Sequence, residues 1–216
     1  MRTDQAEGTR VFLASRNPKK LLEMRRILLA YVPDLLVLGL DDVAPYEEPA
    51  ETEPSFAGNA LVKARAAVAA TGLPSVADDS GLCVDALNGM PGVLSARWAG
   101  RAKDDGANNA LLLEQLADVP EDRRGAHFEC AVAFVHPTDD GGTDEQVVHG
   151  RMPGRVIREM RGSGGFGYDV LFVADQENGD ERTSAELSVS EKDAISHRGK
   201  ALREIAPVVA HLLTGR

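Results

Sequence analysis

The order in which apolar runs and helical stripes alternate constrains this chain more than any other feature. RVFLAS at 10–15 reads as a strand. Asn17-Pro18 then opens a helix running to about Tyr31, because Asn caps helix starts and proline suits the first helical position. Apolar residues at 21, 24, 27, 28 and 31 give that helix one core-facing stripe. LLVLGL (35–40) is a second strand, followed by an acidic, proline-rich loop, DDVAPYEEPAETEP (41–54). Ser55 caps a second helix from 56 to about 71, on which Phe56, Asn59 and Lys63 share a face. SVAD (75–78) and LCVDAL (82–87) read as two short strands with a turn at Ser80-Gly81 between them, and a third helix covers 104–119. AHFECAVAFVH (126–136) and EQVVHGRM (145–152) flank DDGGTD as a long antiparallel hairpin. VLFVA (170–174) is a further strand and DQENGDERTS (175–184) an exposed loop. The C-terminal stretch from SEKDAISHRGK onward is helical, broken around 197–199 and kinked at Pro207. Early alternation and a later hairpin predict an α/β fold with a mixed sheet.

With 216 residues the chain has length for one large domain or two lobes sharing a core. We expect a tail over 1–9 and a single domain over 10–216. A net charge of -10 argues against a sequence-independent grip on nucleic acid, which needs a basic face. It leaves an anionic small ligand open, because local lysines outweigh a global balance. Cys83 and Cys130 lie in apolar surroundings with no C-x-x-C, the pattern of free thiols in a reducing compartment. MRTDQAEGTR has no apolar core of a signal peptide, and no apolar run is long enough to cross a bilayer. The expectation is a cytoplasmic protein that meets neither membrane nor nucleic acid polymer.

Three stretches invite chemistry. ASRNPKK (14–20) joins a strand to a helix start, where backbone N–H groups and the helix dipole favour an anion, with Lys19 and Lys20 alongside. GSGGFG (162–167) matches G-x-G-x-x-G, but YDVLFVAD after it is strand-like, so a dinucleotide fingerprint is ruled out. A loop remains, offering Phe166 and Tyr168 to stack on a planar ring. SHRGK (196–200) supplies His197 and Arg198, with Lys192 one turn earlier. No pair of the five histidines has the spacing of a structural zinc site. Most telling is ADDSG, where Asp78 and Asp79 sit side by side despite their repulsion. Turn residues often end strands in this way. A hard cation such as Mg²⁺ also takes one or two carboxylates plus phosphate oxygens.

Taken together, the blocks S-R-N-P-K-K (15–20), E-T-x-x-S-F-x-x-N-A-x-x-K-A (51–64) and A-D-D-S-G-L-x-V-D (77–85) resemble the inosine triphosphate pyrophosphatase family. P-G-V-L-S-A-R (91–97), G-G-F-G-Y-D (164–169) and I-S-H-R-G-K-A-L (195–202) continue the match in order, over nearly the whole chain. The resemblance implies an elongated α/β domain with two lobes flanking a cleft. It implies hydrolysis of ITP, dITP or XTP to the monophosphate and pyrophosphate, with Mg²⁺, by a homodimer. Carried over by position, Asp79 is general base and metal-associated carboxylate, Glu51 the other metal-linked acid, and Asp78 and Lys63 complete the catalytic set. Ser15, Arg16, Asn17, Pro18, Lys19, Lys20 and Ser80 fall on substrate or phosphate positions. Phe166, Gly167, Tyr168, Asp169, Lys192, His197 and Arg198 fall on those that hold the purine and its surroundings.

The chain departs from the family pattern at three places. Gly58 stands where an acid is frequent, Arg16 where glycine is common, and Val170 where proline follows the Tyr-Asp. Two rival readings share these residues: a pyrophosphatase for other modified nucleotides, and a nucleotide-binding module without chemistry. A substrate panel and measured pyrophosphate release separate them.

Overall fold

The computed structural model describes residues 9–176 and 178–214. The expected N-terminal tail therefore falls outside the described residues except for its last position. The mixed α/β class is borne out. Strands β1 (Arg10–Leu13), β2 (Leu36–Leu38), β3 (Ser75–Val84), β4 (Gly125–Pro137), β5 (Thr143–Val156) and β6 (Phe172–Ala174) form one sheet in the order β2-β1-β3-β4-β5-β6. Helices α1 (Pro18–Tyr31), α2 (Phe56–Thr71), α3 (Asp105–Gln115), α4 (Val189–Ile195) and α5 (His197–Thr214) complete the fold.

The chain divides into two compact units. The first comprises 1–79, 131–149 and 199–216, and the second 80–130 and 150–198. In the first, β1 pairs in parallel with β2 on one side and β3 on the other. The chain reverses its direction across the sheet at β1, which marks the carboxyl ends of β1 and β3 as a ligand site in parallel α/β sheets. Asn17 caps α1, its side chain accepting from the Lys19 and Lys20 amides. Ser55 caps α2 by accepting from the Gly58 amide, and Gly72 ends that helix in the left-handed region. Ala60, Ala64 and Ala67 are fully buried, so α2 lies close against its neighbours on a face of small side chains. The stripe of α1 is narrower than expected: Met24, Ile27 and Leu28 are buried, whereas Tyr31 is 45% exposed.

In the second unit Leu82, Val84, Leu112, Leu116, Phe128, Met152 and Phe172 pack into one apolar cluster. Arg124, 1% exposed, donates from its guanidinium to the carbonyls of Leu116, Val156 and Ile157, so its charge sits in a ring of backbone acceptors. The hairpin appears as β4 and β5, closed by Gly141 N–H to Thr138 O and Thr138 N–H to Gly142 O.

Three local expectations are corrected. No turn interrupts 75–84: β3 runs straight through Asp78-Asp79-Ser80-Gly81. Residues 167–171 form a 3₁₀ turn, so the strand there begins only at Phe172. The break in the C-terminal helix falls at Ser196, and α5 continues through Gly199 and Pro207.

Candidate active site

The residues singled out from sequence fall into two groups, one in each unit. In the first unit the paired aspartates are the organising feature. Both are nearly inaccessible, Asp78 at 3% and Asp79 at 6% exposure. Because β3 is extended there, consecutive side chains point to opposite faces of the sheet. Each therefore meets a different helix. Asp78 Oδ2 accepts from Lys20 Nζ on α1 at 3.0 Å. Asp79 Oδ1 accepts from Lys63 Nζ on α2 at 3.1 Å, and its Oδ2 from Asn59 Nδ2 at 3.1 Å. The repulsion that makes the pair odd in sequence is met by separating the carboxylates and giving each its own ammonium.

Lys63 does more than pair with Asp79. Its Nζ also donates to Glu51 Oε1 at 3.1 Å, so one ammonium bridges two carboxylates. The carboxylates of Asp79, Asp78 and Glu51 hold the lysine above its ordinary pKa despite its burial. Burial pushes Asp79 upward against the pull of Lys63. An ammonium between Glu51 and Asp79 stands in for a cation at that place. The donor set, two carboxylates that already share a positive charge, suits a hard divalent ion.

Asn59 was placed on the Lys63 face by its spacing, but its task is visible only in three dimensions. Its Oδ1 accepts from the Glu53 amide while its Nδ2 holds Asp79, which ties the acidic loop to β3. Gly58 has a local reason as well. A Cβ there would lie 2.6 Å from Glu53 Cβ, so the Glu53 side chain fills the space that any residue larger than glycine needs.

At the strand–helix turn, Ser15 is buried and Arg16, Pro18 and Lys19 are exposed. Free amides at this helix start were expected, and here the structure differs. Pro18 has no N–H, Lys19 and Lys20 donate to Asn17 Oδ1, the Asn17 amide meets Ser15 Oγ, and Leu21 N–H bonds Asn17 O. A strong cap has consumed the donors, leaving side chains and the helix dipole to attract an anion. Arg16 Nε donates to Glu48 Oε2 at 2.7 Å, linking the turn to the acidic loop.

The second group surrounds the glycine-rich loop. Asp169 Oδ2 accepts from Lys192 Nζ at 2.5 Å and from the Phe166 amide at 2.8 Å. Gly165 is required beneath it: its φ is +69°, and a Cβ would come within 2.1 Å of Asp169 Oδ2. The half-buried Phe166 ring has Lys192 Nζ at 5.0 Å and Arg198 Cζ at 5.5 Å from its centroid, a cation–π pair. Arg198 also donates to Ser80 Oγ at 3.2 Å. His197 is buried and stacked on Phe128, with centroids 4.9 Å apart and planes 10° apart. Tyr168 does not offer its ring for stacking. It is 4% exposed and its hydroxyl donates to Ser95 O at 2.8 Å, with burial raising its pKa.

Gly167 is held from both sides by residues the sequence reading missed. Its amide donates to Asp105 Oδ2 at 2.7 Å and its carbonyl accepts from Asn109 Nδ2 at 2.9 Å. Asp105 and Asn109 lie four apart on α3, the same spacing as Asn59 and Lys63 on α2. A polar pair one turn apart on one helix face is the signal that would have found them.

Comparison with known proteins shows the family. The Ham1 family model matches residues 11–208. A dITP/XTP pyrophosphatase of Nocardia farcinica is 60% identical over 204 residues, spanning 94% of this chain and 96% of its own. One from Mycobacterium tuberculosis H37Rv is 57% identical over 208 residues, 96% of this chain and 98% of its own. Among solved structures, a nucleoside-triphosphatase (dITP/XTP pyrophosphatase) from Mycobacterium abscessus superposes with a TM-score of 0.72 at 54% identity, covering 92% of this chain and 99% of its own. The Ham1 protein of Staphylococcus aureus gives 0.81 at 34% identity, covering 94% and 99%. A match of this extent makes the chain a member of the Ham1 family.

Proposed function

We infer that this chain is a nucleoside triphosphate pyrophosphatase that hydrolyses ITP, dITP and XTP to the monophosphate and pyrophosphate. The observation that carries the reading is the pair of buried aspartates, each held by its own lysine beside a third carboxylate at Glu51. The names borne by relatives that match almost end to end point the same way.

In this reading Glu51 and Asp79 would hold Mg²⁺, which when bound neutralises phosphate charge and lowers the pKa of water. Lys63 gives up its bridging place and turns its ammonium to the phosphates. Arg16, Lys19 and Lys20 add positive charge where the triphosphate tail lies, with Ser15, Asn17 and Pro18 shaping the turn. Asp79 orients a water and accepts its proton as the oxygen attacks the α-phosphorus. The bond from that phosphorus to the bridging oxygen breaks, and pyrophosphate leaves with the electron pair. Asp78 acts through Lys20, keeping that ammonium aimed. Phosphoryl transfer asks a protein mainly for positioning and charge, which this set supplies without a covalent nucleophile.

The base falls to the second group. Phe166 offers a flat face between cations, Gly167 and Tyr168 set the loop backbone, Asp169 fixes Lys192, and Ser80 fixes Arg198. Lys192, His197 and Arg198 supply donors for a 6-oxo group, whereas adenine's amino group meets them donor to donor. Each buried donor left unsatisfied costs roughly 1–3 kcal/mol, enough together to reject ATP. The working form is a cytoplasmic homodimer, as the resemblance implies. Among the described residues no helix is long and apolar enough to span a membrane.

Pyrophosphate release from ITP, XTP, GTP and ATP, with and without Mg²⁺, tests the reading. Asp79→Asn is expected to lower kcat by about 100-fold or more at saturating Mg²⁺. Near-normal turnover by that variant, or equal rates on ITP and ATP, would overturn it.

A further inference from the structure

The sheet face opposite the apolar cluster of the second unit carries a separate constellation. Along β3 and β4, Leu82, Val84, Ala126 and Phe128 point into the cluster. The residues between them, Cys83, His127 and Glu129, point the other way by strand alternation. One ligand atom from each of these three lies within 4.8 Å of the other two. His127 Nε2 and Glu129 Oε2 are already 3.7 Å apart. In a tetrahedral zinc site with bonds of about 2.0–2.3 Å, ligand atoms lie roughly 3.3–3.7 Å from one another. The present separations exceed those of a formed site by roughly an ångström at most. Thiol, imidazole and carboxylate on two adjacent strands are a donor set of mixed softness, which suits zinc rather than magnesium or calcium.

We propose that Cys83, His127 and Glu129 form a binding site for one zinc-class divalent cation, clipping β3 to β4 and leaving a fourth position for water. Binding exchanges the Cys83 thiol proton, which passes to solvent, for a metal–sulfur bond. Arg151, exposed on β5, sets the strength of the site. Its Nη2 lies 3.0 Å from His127 Nδ1, so it donates there and leaves the imidazole hydrogen on Nε2. A metal at Nε2 needs the other tautomer, with hydrogen on Nδ1, and then the two donors face each other. Arg151 must swing away for the cation to enter, and its charge opposes the newcomer as well. No pair of histidines shows this site in sequence, because its ligands come from strands more than forty positions apart.

Reduced full-length protein titrated with Co²⁺ tests the proposal. One equivalent should raise the near-ultraviolet thiolate-to-cobalt band, and Zn²⁺ should abolish it. Cobalt held by Glu51 and Asp79 gives no such band, since neither brings sulfur. Cys83→Ser should lose the band, Cys130→Ala should keep it, and His127→Asn should weaken cobalt binding by about tenfold or more. Arg151→Gln should bind several-fold more tightly than the unsubstituted protein. Circular dichroism of each metal-free variant separates loss of ligand from loss of fold. No band in the unsubstituted protein, a band that survives Cys83→Ser in a folded variant, or weaker binding by Arg151→Gln would overturn the assignment.

Discussion

Replacing Lys63 by methionine removes one ammonium and leaves two carboxylates facing each other. Lys63 is 7% exposed and bonds Glu51 and Asp79 at 3.1 Å each, so the methionine fills its stem but not its charge. Stripping one partner from a buried ion pair costs about 3–5 kcal/mol. The lower end applies, because the Glu51 side chain is 25% exposed and water screens that arm, while Asn59 keeps its bond to Asp79. At about 2–4 °C per kcal/mol for a chain of this size, a 3 kcal/mol loss lowers Tm by roughly 6–12 °C. Two further readouts make the reasoning specific. Without the lysine, like charge and burial raise the folded-state pKa of the carboxylates above their unfolded value near 4. The variant should therefore regain stability as pH falls through that raised pKa. In the unsubstituted protein the raised Lys63 pKa works at the other end: its contribution is present below about 10.4 and is lost as pH rises beyond. Second, Mg²⁺ should restore the variant more than it aids the unsubstituted protein, because the vacated place needs no lysine to be displaced. At ten times its Kd a ligand adds about 1.4 kcal/mol, or roughly 3–6 °C. Scanning calorimetry with and without Mg²⁺ measures both. A Tm within a degree of the unsubstituted protein, or an equal response of both proteins to Mg²⁺, would refute the idea that the ammonium marks a cation site.

Gly165→Ala forces a Cβ into the left-handed region and against Asp169 Oδ2, so Asp169 must release the Phe166 amide or Lys192. We expect about 1–3 kcal/mol of destabilisation and a rise in KM for ITP larger than the fall in kcat, read by denaturant unfolding and steady-state kinetics; unchanged KM contradicts this. Glu191, bonded by Arg182 and by the Ser188 hydroxyl and amide, has its carboxyl pulled down to about 2. Its contribution to α4 is present above the unfolded value near 4.3 and is lost as pH falls through about 2, so its side-chain carbon resonance should titrate there, and a midpoint near 4 would contradict the capping geometry.

Much of the site was legible in one dimension because local rules act on neighbours. Asn17-Pro18 and Ser55 placed both helix starts correctly, since a cap and the helix it caps are adjacent in sequence. The hairpin turn was visible for the same reason: its composition states its conformation. The 175–184 stretch, read as an exposed loop, is corrected at its end, where Thr183 and Ser184 are buried and Thr183 bridges to Val173. ADDSG misled on its backbone. Asp, Ser and Gly there looked like a turn between two strands, but β3, which lies between β1 and β4 in the sheet, runs straight through them. Likewise, Tyr168 looked available for stacking, and only its distant partner at Ser95 shows that the ring is core.

From sequence alone came the residue types, the order of elements, and the blocks by which the family is recognised. Tertiary structure decided which charge answers which. Asp78 and Asp79 are bonded to each other through one peptide, yet their lysines come from helices 58 and 16 positions away. No spacing rule links those positions. The link arises because an extended strand turns successive side chains to opposite faces, and a parallel sheet places a different helix over each.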